Sequence, residues 1–244
     1  MARERIDRLL VDRGLFESRT KAREAIEAGG IRVGGAVILK ASDRVDAEAE
    51  IVSQPAYGWV GRGALKLAFA LEAWPVTPKG KVVLDVGAST GGFTEVCLNG
   101  GALRVFAVDV GHGQLHPRIG SDPRVVELDG VDARVLDRSL IDEAPSLIVC
   151  DVSFIGLEKA LPAAMALAAP GADLIVLVKP QFQLGPNAVS KGGVVRDEAA
   201  RLRALAGAGA FVQAAGWQVL ATLPSPVMGG DGNVEYLLWA RKLG

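Results

Sequence analysis

Aromatic residues are scarce in this 244-residue chain, at 5% of the total, and cysteine and histidine occur only twice each. Two cysteines, Cys97 and Cys150, each beside an apolar run, argue against a disulfide framework and for reduced, packed thiols in a reducing compartment. No uninterrupted apolar stretch approaches the roughly 20 residues that a membrane helix needs. Residues 1–30 are charged throughout and lack the apolar segment of a secretion signal. These absences predict a soluble, cytoplasmic protein that touches no membrane. They also leave a lytic protein nothing to act through, since no strongly amphipathic basic helix is present either. What remains is aliphatic: half of the residues are hydrophobic, and Ala, Gly, Val and Leu dominate. That composition suits a sheet covered by helices, and the length suits one small and one medium domain.

The net charge of −1 hides an uneven distribution. Residues 1–40 carry nine Lys/Arg against six Asp/Glu, a local excess of +3, and the stretch Ser42 to Glu50 is acidic. Within 3–13, Ile6, Leu9 and Leu10 recur at helical spacing, with Gly14 as a stop. Ser18 is placed to cap a second helix running to about Ala28, which Gly29-Gly30 ends. Ile31 to Ile38 reads as a hairpin around Gly34-Gly35, and residues 45–52 offer another strand. Two basic helices and a small glycine-turned sheet, with the pattern Ser18-Arg19-Thr20-Lys21-Ala22-Arg23 through Gly35, resemble the alpha-L (S-four-type) RNA-binding module. The resemblance covers about 50 residues and implies RNA contacts from Arg5, Ser18, Arg19, Lys21, Arg23 and Arg32, to which Arg62 is added. The alternative is a solvated basic helix face.

Gln54 to Gly58 breaks the periodicity between Pro and Gly, so the expected division is 1–54, a linker at 55–60, and 61–244. A helix is expected from Gly61 to about Ala73. Strands then alternate with helices: 81–85, 104–109, 124–128, 146–151, 172–179, 217–223 and 234–240, with helices through Leu98 and at 132–143, 156–168 and 196–215. Such alternation predicts an α/β fold with a mostly parallel sheet covered on both faces.

Asp85-Val86-Gly87-Ala88-Ser89-Thr90-Gly91-Gly92-Phe93 leaves a buried strand and opens a helix. Its glycines allow a tight turn against which a ligand can lie. A dinucleotide fingerprint would have glycine where Ser89 stands, and the acid at the strand end suits a cationic ligand better than a pyrophosphate. S-adenosylmethionine carries a sulfonium and an ammonium. Asp109, followed by Val110, ends the next strand and suits a ribose diol. Asp132 follows the third strand and is either an adenine contact or a turn residue. The rival is a nicotinamide cofactor. His112 and His116 have metal-ligand spacing, but Gly111, Gly113 and Pro117 make a loop of the segment, and no metal site is expected.

Four charges stand where apolar residues are expected: Lys66 within Ala64–Ala68, Asp151 after Leu147–Cys150, Lys179 after Leu174–Val178, and Glu235 before Tyr236-Leu237-Leu238. Singly, each could be a surface charge. Together they resemble the Lys-Asp-Lys-Glu tetrad of the FtsJ-type ribose 2′-O-methyltransferases. With the N-terminal module attached, the chain resembles the TlyA family of bacterial ribosomal RNA 2′-O-methyltransferases, some labelled haemolysins. The likeness runs nearly end to end through Gly61–Leu67, Asp85–Thr94, Ala107–Gly111, Asp151–Ile155, Lys179–Phe182, Lys191–Asp197 and Gly229–Tyr236. The family pattern has Ser-Arg-Gly-Gly where this chain has Gly61-Arg62-Gly63-Ala64, and Asn at the position of Asp132. The resemblance implies a Rossmann-like S-adenosylmethionine-dependent methyltransferase sheet, with ribosomal RNA or ribosomal subunits as partner and cytidine as target.

A ribose hydroxyl must lose its proton as it attacks a sulfonium methyl. Lys179 is expected to take or orient that proton, Lys66 and Glu235 to position the ribose, and Asp151 to orient the lysine and favour the sulfonium. The glycine-rich loop 185–193, with Lys191, is expected to close over RNA. The four tryptophans are expected in the core or at a domain interface rather than as base platforms. An RNA-binding protein with an inactive catalytic domain, and a methyltransferase acting on a base, a protein or a small molecule, are the alternatives.

Overall fold

A computed structural model describes residues 3–184, 189, 190, 192–229 and 232–244. Lys191 and most of the expected closing loop therefore lie outside the described residues. The chain forms two compact units, Met1–Gly58 and Trp59–Gly244, so the stretch expected as a linker is shared between them.

In the first unit, β1 (Arg3–Arg5) pairs with β4 (Arg44–Asp46), and β3 (Ala36–Val37), β2 (Ile31–Val33) and β5 (Ile51–Ser53) form a second small sheet. The region expected as one strand at 45–52 is thus two. Between β1 and β2 stand α1 (Ile6–Asp12) and α2 (Arg19–Glu27). Ile6, Leu9 and Leu10 of α1 meet Ala22, Ala25 and Ile26 of α2 over Ile31 and Val45, which make up the buried core of this unit among the described residues. Ser18 caps α2 through the Lys21 N–H. Gly34 and Gly35, at φ +55° and +84°, supply the pair of left-handed residues that a two-residue hairpin requires. Tyr57 belongs here as well: its hydroxyl donates to Glu24, and Lys21 lies 4.2 Å from its ring centroid.

In the second unit, α3 (Ala64–Ala73) precedes β6 (Val82–Val86), α4 (Gly92–Asn99), β7 (Arg104–Asp109), α5 (Pro117–Gly120) and β8 (Val125–Asp129). There follow β9 (Leu147–Cys150), α6 (Leu157–Ala160), α7 (Pro162–Leu167), β10 (Asp173–Val178), α8 (Pro180–Gln183), α9 (Glu198–Ala214), β11 (Trp217–Pro224) and β12 (Tyr236–Lys242). The sheet order is β11-β12-β10-β9-β6-β7-β8, with β12 antiparallel to both neighbours and the pairs from β10 to β8 parallel. Along β6 and β10, alternate residues enter different cores: Val82, Leu84, Val86, Leu174 and Val176 join α6, α7 and α9. Val83, Ile175 and Leu177 join α3 and α4. Burial on both faces is why these strands read as continuous apolar runs. Cys97 and Cys150 are free, buried thiols. Trp74, Trp217 and Trp239 are buried, and Trp74 stacks on Trp239 at 5.9 Å.

Two expected helices are corrected. The stretch 132–143 holds only a short 3-10 turn, Ala133–Val135. Asp132 and Asp137 each accept the backbone N–H two residues on, at 2.9 and 2.8 Å, and so divert the chain from helix. The stretch 156–168 is divided into α6 and α7, because Pro162 lacks the N–H that a continuous helix would use.

Candidate active site

The strands β6 to β9 end on one edge of the sheet, and the loops leaving them enclose a cavity of about 500 Å³. Gly87, Ser89, Asp109, Val110 and Asp132, all expected to bind a cofactor, line it. Gly87 has φ +84°, and a Cβ there would come within 3.0 Å of the Asp151 carbonyl oxygen, so only glycine lets the turn pass β9 this closely. Ser89 also sits in the left-handed region, at φ +48°, and its N–H donates to Asp109 Oδ2 at 2.8 Å. Gly111 N–H donates to Asp109 Oδ1, also at 2.8 Å. Asp109 is thereby fixed, and each oxygen keeps a lone pair for a ligand hydroxyl. Val110 is 71% exposed beside it.

Asp132 caps the 3-10 turn and pairs with Arg134, whose guanidinium holds the carboxyl down at about 2. Asp132 is thus a turn residue, and it also lines the cavity. His116 proves to be the cap of α5, accepting the Arg118 N–H through Nδ1 at 3.1 Å.

Five residues expected at the cofactor do not line the cavity: Asp85, Thr90, Gly91, Gly92 and Phe93. The alternation along β6 turns Asp85 toward α4, where Oδ2 accepts the Thr94 hydroxyl at 2.7 Å. Its carboxyl is fully buried, and burial pushes it up to about 7. Gly91, at φ +91°, redirects the backbone into α4 and faces Leu115 and Ile119. Thr90, Gly92 and Phe93 then face the turn Gly61–Ala64 that opens α3. They build the floor on which Lys66 stands. Glu95 on α4 fastens the same region by accepting the Val60 N–H at 2.7 Å and pairing with Arg118.

The four out-of-place charges meet. Asp151 follows β9 and Lys179 follows β10, its parallel neighbour. Because β12 runs the other way, with Val178 opposite Tyr236, Glu235 arrives at this same edge. Lys66 reaches in from α3. Lys66 Nζ donates to Glu235 Oε2 at 2.6 Å and lies 3.9 Å from Asp151 Oδ2. Lys179 Nζ lies 2.6 Å from Asp151 Oδ1. Lys66, Lys179 and Glu235 are buried, and Asp151, between the lysines, also lines the cavity. Two lysines and two carboxylates make a balanced set, which is the condition for keeping such charges out of water. Gly229 crosses directly over Glu235, where a Cβ would lie 2.5 Å from Oε1.

Gln114, Arg134, Ser153 and Phe154, none of them expected at the site, also line the cavity. Ser153 Oγ accepts a hydrogen bond from Lys179 Nζ at 2.8 Å. Phe154 is 90% exposed at φ +66° and meets the Phe182 ring at 5.1 Å. Ser153 and Phe154 lie in the Asp151–Ile155 segment of the family likeness, which was the available signal for them; nothing in the local pattern marks Gln114 or Arg134.

Of the residues expected at RNA, Arg5 and Arg19 both pair with the buried Asp7, at 3.0 and 2.6 Å. Arg5 and then Arg19 hold that carboxyl well below the usual carboxylate range, against the burial that raises it. The Ser18 hydroxyl is engaged as a cap and Lys21 lies over Tyr57. Arg23, Arg32 and Arg62 are exposed; Arg32 donates to the Gly35 carbonyl at 3.4 Å and Arg62 to the Met228 carbonyl at 3.2 Å. Among the described residues no helix is long and apolar enough to cross a membrane.

Comparison with known proteins adds the following. The family model described as FtsJ-like methyltransferase matches residues 59–242, and the S4 domain matches residues 4–51. The 16S/23S rRNA (cytidine-2′-O)-methyltransferase TlyA of Mycobacterium tuberculosis is 45% identical over 241 residues, covering 98% of this chain and 90% of its own. Hemolysin A of Brachyspira hyodysenteriae is 36% identical over 234 residues, covering 96% and 98%. A solved structure from Streptococcus thermophilus, carrying a provisional hemolysin label, superposes with a TM-score of 0.79 at 35% identity, covering all of this chain and 90% of that one.

Proposed function

The chain belongs to the FtsJ-like methyltransferase family, and from that membership we propose that it methylates a ribose 2′-hydroxyl of ribosomal RNA, with cytidine as the target nucleoside. The observation that carries this is the convergence of Lys66, Asp151, Lys179 and Glu235 beside the cavity closed by the glycine turn. The cavity fits S-adenosylmethionine: it offers the fixed Asp109 for a ribose diol, the exposed Val110 for an adenine face, and no cluster of basic groups that would call for a phosphate. The bound cofactor supplies an electrophilic methyl group on a sulfonium.

The rest of the chemistry belongs to this chain. Lys179, set at the cavity edge by Asp151, takes or orients the proton of the ribose hydroxyl. Lys66 and Glu235, held to each other, position the ribose. The Asp151 carboxylate holds both lysines close to it and adds negative charge where a sulfonium is favoured. Phe154 offers a flat apolar surface beside the reacting centre, which suits an unstacked nucleobase. On the first unit, Arg23 and Arg32, with the outer N–H groups of Arg5 and Arg19, and on the second unit Arg62, are assigned to RNA phosphates. Ser18 contributes by capping α2 and Lys21 from the same helix. The ribosomal substrate gives the protein a cytoplasmic site of action.

The test is transfer of labelled methyl from S-adenosylmethionine to ribosomal particles, with the modified nucleotide mapped. Label on a ribose 2′-oxygen, abolished by Lys179→Ala while cofactor binding persists, is the expected result. Label on a base, or turnover surviving in the variant, overturns the assignment.

A further inference from the structure

Lys179 is held by two partners of different kinds. Its contact with Asp151 Oδ1, at 2.6 Å, is an ion pair without hydrogen-bond alignment. Its contact with Ser153 Oγ, at 2.8 Å, is an aligned hydrogen bond. Coulomb attraction fixes how near the amino group stays to a carboxylate but is indifferent to how that group is rotated. Rotation is set by directional bonds, which weaken steeply as the angle closes. For a group that must present one particular N–H or lone pair to a bound hydroxyl, rotation matters as much as distance. Ser153 stands two residues after Asp151 and lines the cavity assigned to the cofactor, so it meets Lys179 from the cavity side. A serine hydroxyl that accepts one N–H still has its own hydrogen to hand on.

We propose that Ser153 is a positioning residue for methyl transfer, fixing the rotation of the Lys179 amino group toward the reacting ribose hydroxyl. The inference rests on the reading of the chain as a ribose methyltransferase. Ser153 acts through Lys179, so its removal leaves both binding steps alone and slows the chemical step. Because Ser153 is open to solvent, a water molecule takes its place in Ser153→Ala, and the loss is smaller than for a general base.

The experiment measures kcat and KM for ribosomal particles, and the S-adenosylmethionine dissociation constant by calorimetry, in the wild type, Ser153→Ala and Ser153→Thr. The expected result for Ser153→Ala is a fall in kcat of about tenfold with KM and cofactor affinity within about twofold of wild type, and recovery to within about threefold in Ser153→Thr, which restores the hydroxyl. Wild-type kcat in Ser153→Ala overturns the proposal. So does a fall in Ser153→Thr equal to that in Ser153→Ala, or a loss of cofactor affinity that accounts for the loss of rate. A wild-type protein that puts no methyl on ribose overturns the underlying function and this inference with it; active wild type beside an unimpaired Ser153→Ala overturns this inference alone.

Discussion

Asp85 sits within the sheet with no solvent exposure, one oxygen bonded to Thr94 and the other without a partner among the described residues. Burial raises its carboxyl from the ordinary 3.8 to about 7, with the Asp151 and Asp109 charges adding to the rise and the Thr94 bond opposing it. Between those two values the folded chain holds a proton that the unfolded chain has released. The folded state binds more protons there, so stability falls as pH rises, by about 1.4 kcal/mol per pH unit while the window lasts. From about pH 5 to about pH 8 this one group removes roughly 2–3 kcal/mol, an appreciable part of a typical domain's stability. Asp85→Asn keeps an acceptor for Thr94 and abolishes the titration. All four tryptophans, Trp59, Trp74, Trp217 and Trp239, lie in the second unit, so their emission during urea unfolding reports that unit. The difference in unfolding free energy between variant and wild type should shift by about 2–3 kcal/mol in favour of the variant between those two pH values. A difference that stays constant with pH would mean that Asp85 is ionised in the folded protein, and the burial argument would fail.

Gly87→Ala places a Cβ at 3.0 Å from a backbone oxygen in a φ +84° conformation, so it should cost about 1–3 kcal/mol and weaken S-adenosylmethionine binding, read by thermal melts and calorimetry. Asp7→Asn replaces the buried partner of Arg5 and Arg19, both half exposed to solvent, and should destabilise the first unit by about 1–2 kcal/mol, seen as faster amide hydrogen exchange confined to that unit. Since the Asp7 carboxyl is held below its ordinary 3.8, the stability it contributes is present above that pH and drains away as pH falls below it. Wild-type exchange rates in the variant at neutral pH would refute the Asp7 assignment.

Much of the chain's local structure was legible as sequence because it is decided within a few residues. Ser18 needs only the Lys21 N–H to cap a helix, and Gly34-Gly35 needs only its own torsions to turn a hairpin. The central strands β6, β9 and β10 declare themselves through nearly unbroken aliphatic runs, since a sheet covered on both faces leaves little room for polar residues. The same rule made Lys66, Asp151, Lys179 and Glu235 conspicuous. The helix expected at 132–143 failed because two aspartates outcompete the backbone, an effect that composition and periodicity do not weigh.

Other features belong to the tertiary structure alone. The meeting of Lys66 with Glu235, 169 residues apart, depends on β12 entering the sheet backwards and in register with β10. Asp85 is expected at the cofactor from its place at the strand end, yet its direction follows from the alternation of the β6 side chains, which sends it under α4 and away from the cavity. Gly92 and Phe93 share the glycine turn with Gly87 and Ser89, but the left-handed Gly91 between them turns the chain into α4 and against Gly61–Ala64. Ser153 lies in the Asp151–Ile155 segment that carries the family likeness, but nothing in the chain says that it meets Lys179. The sequence by itself determined which residues are buried and which charges are out of place, because burial is written in local pattern. Which of those charges touch, and on which side of the sheet, was decided by strand register and direction, which arise only when distant segments pair.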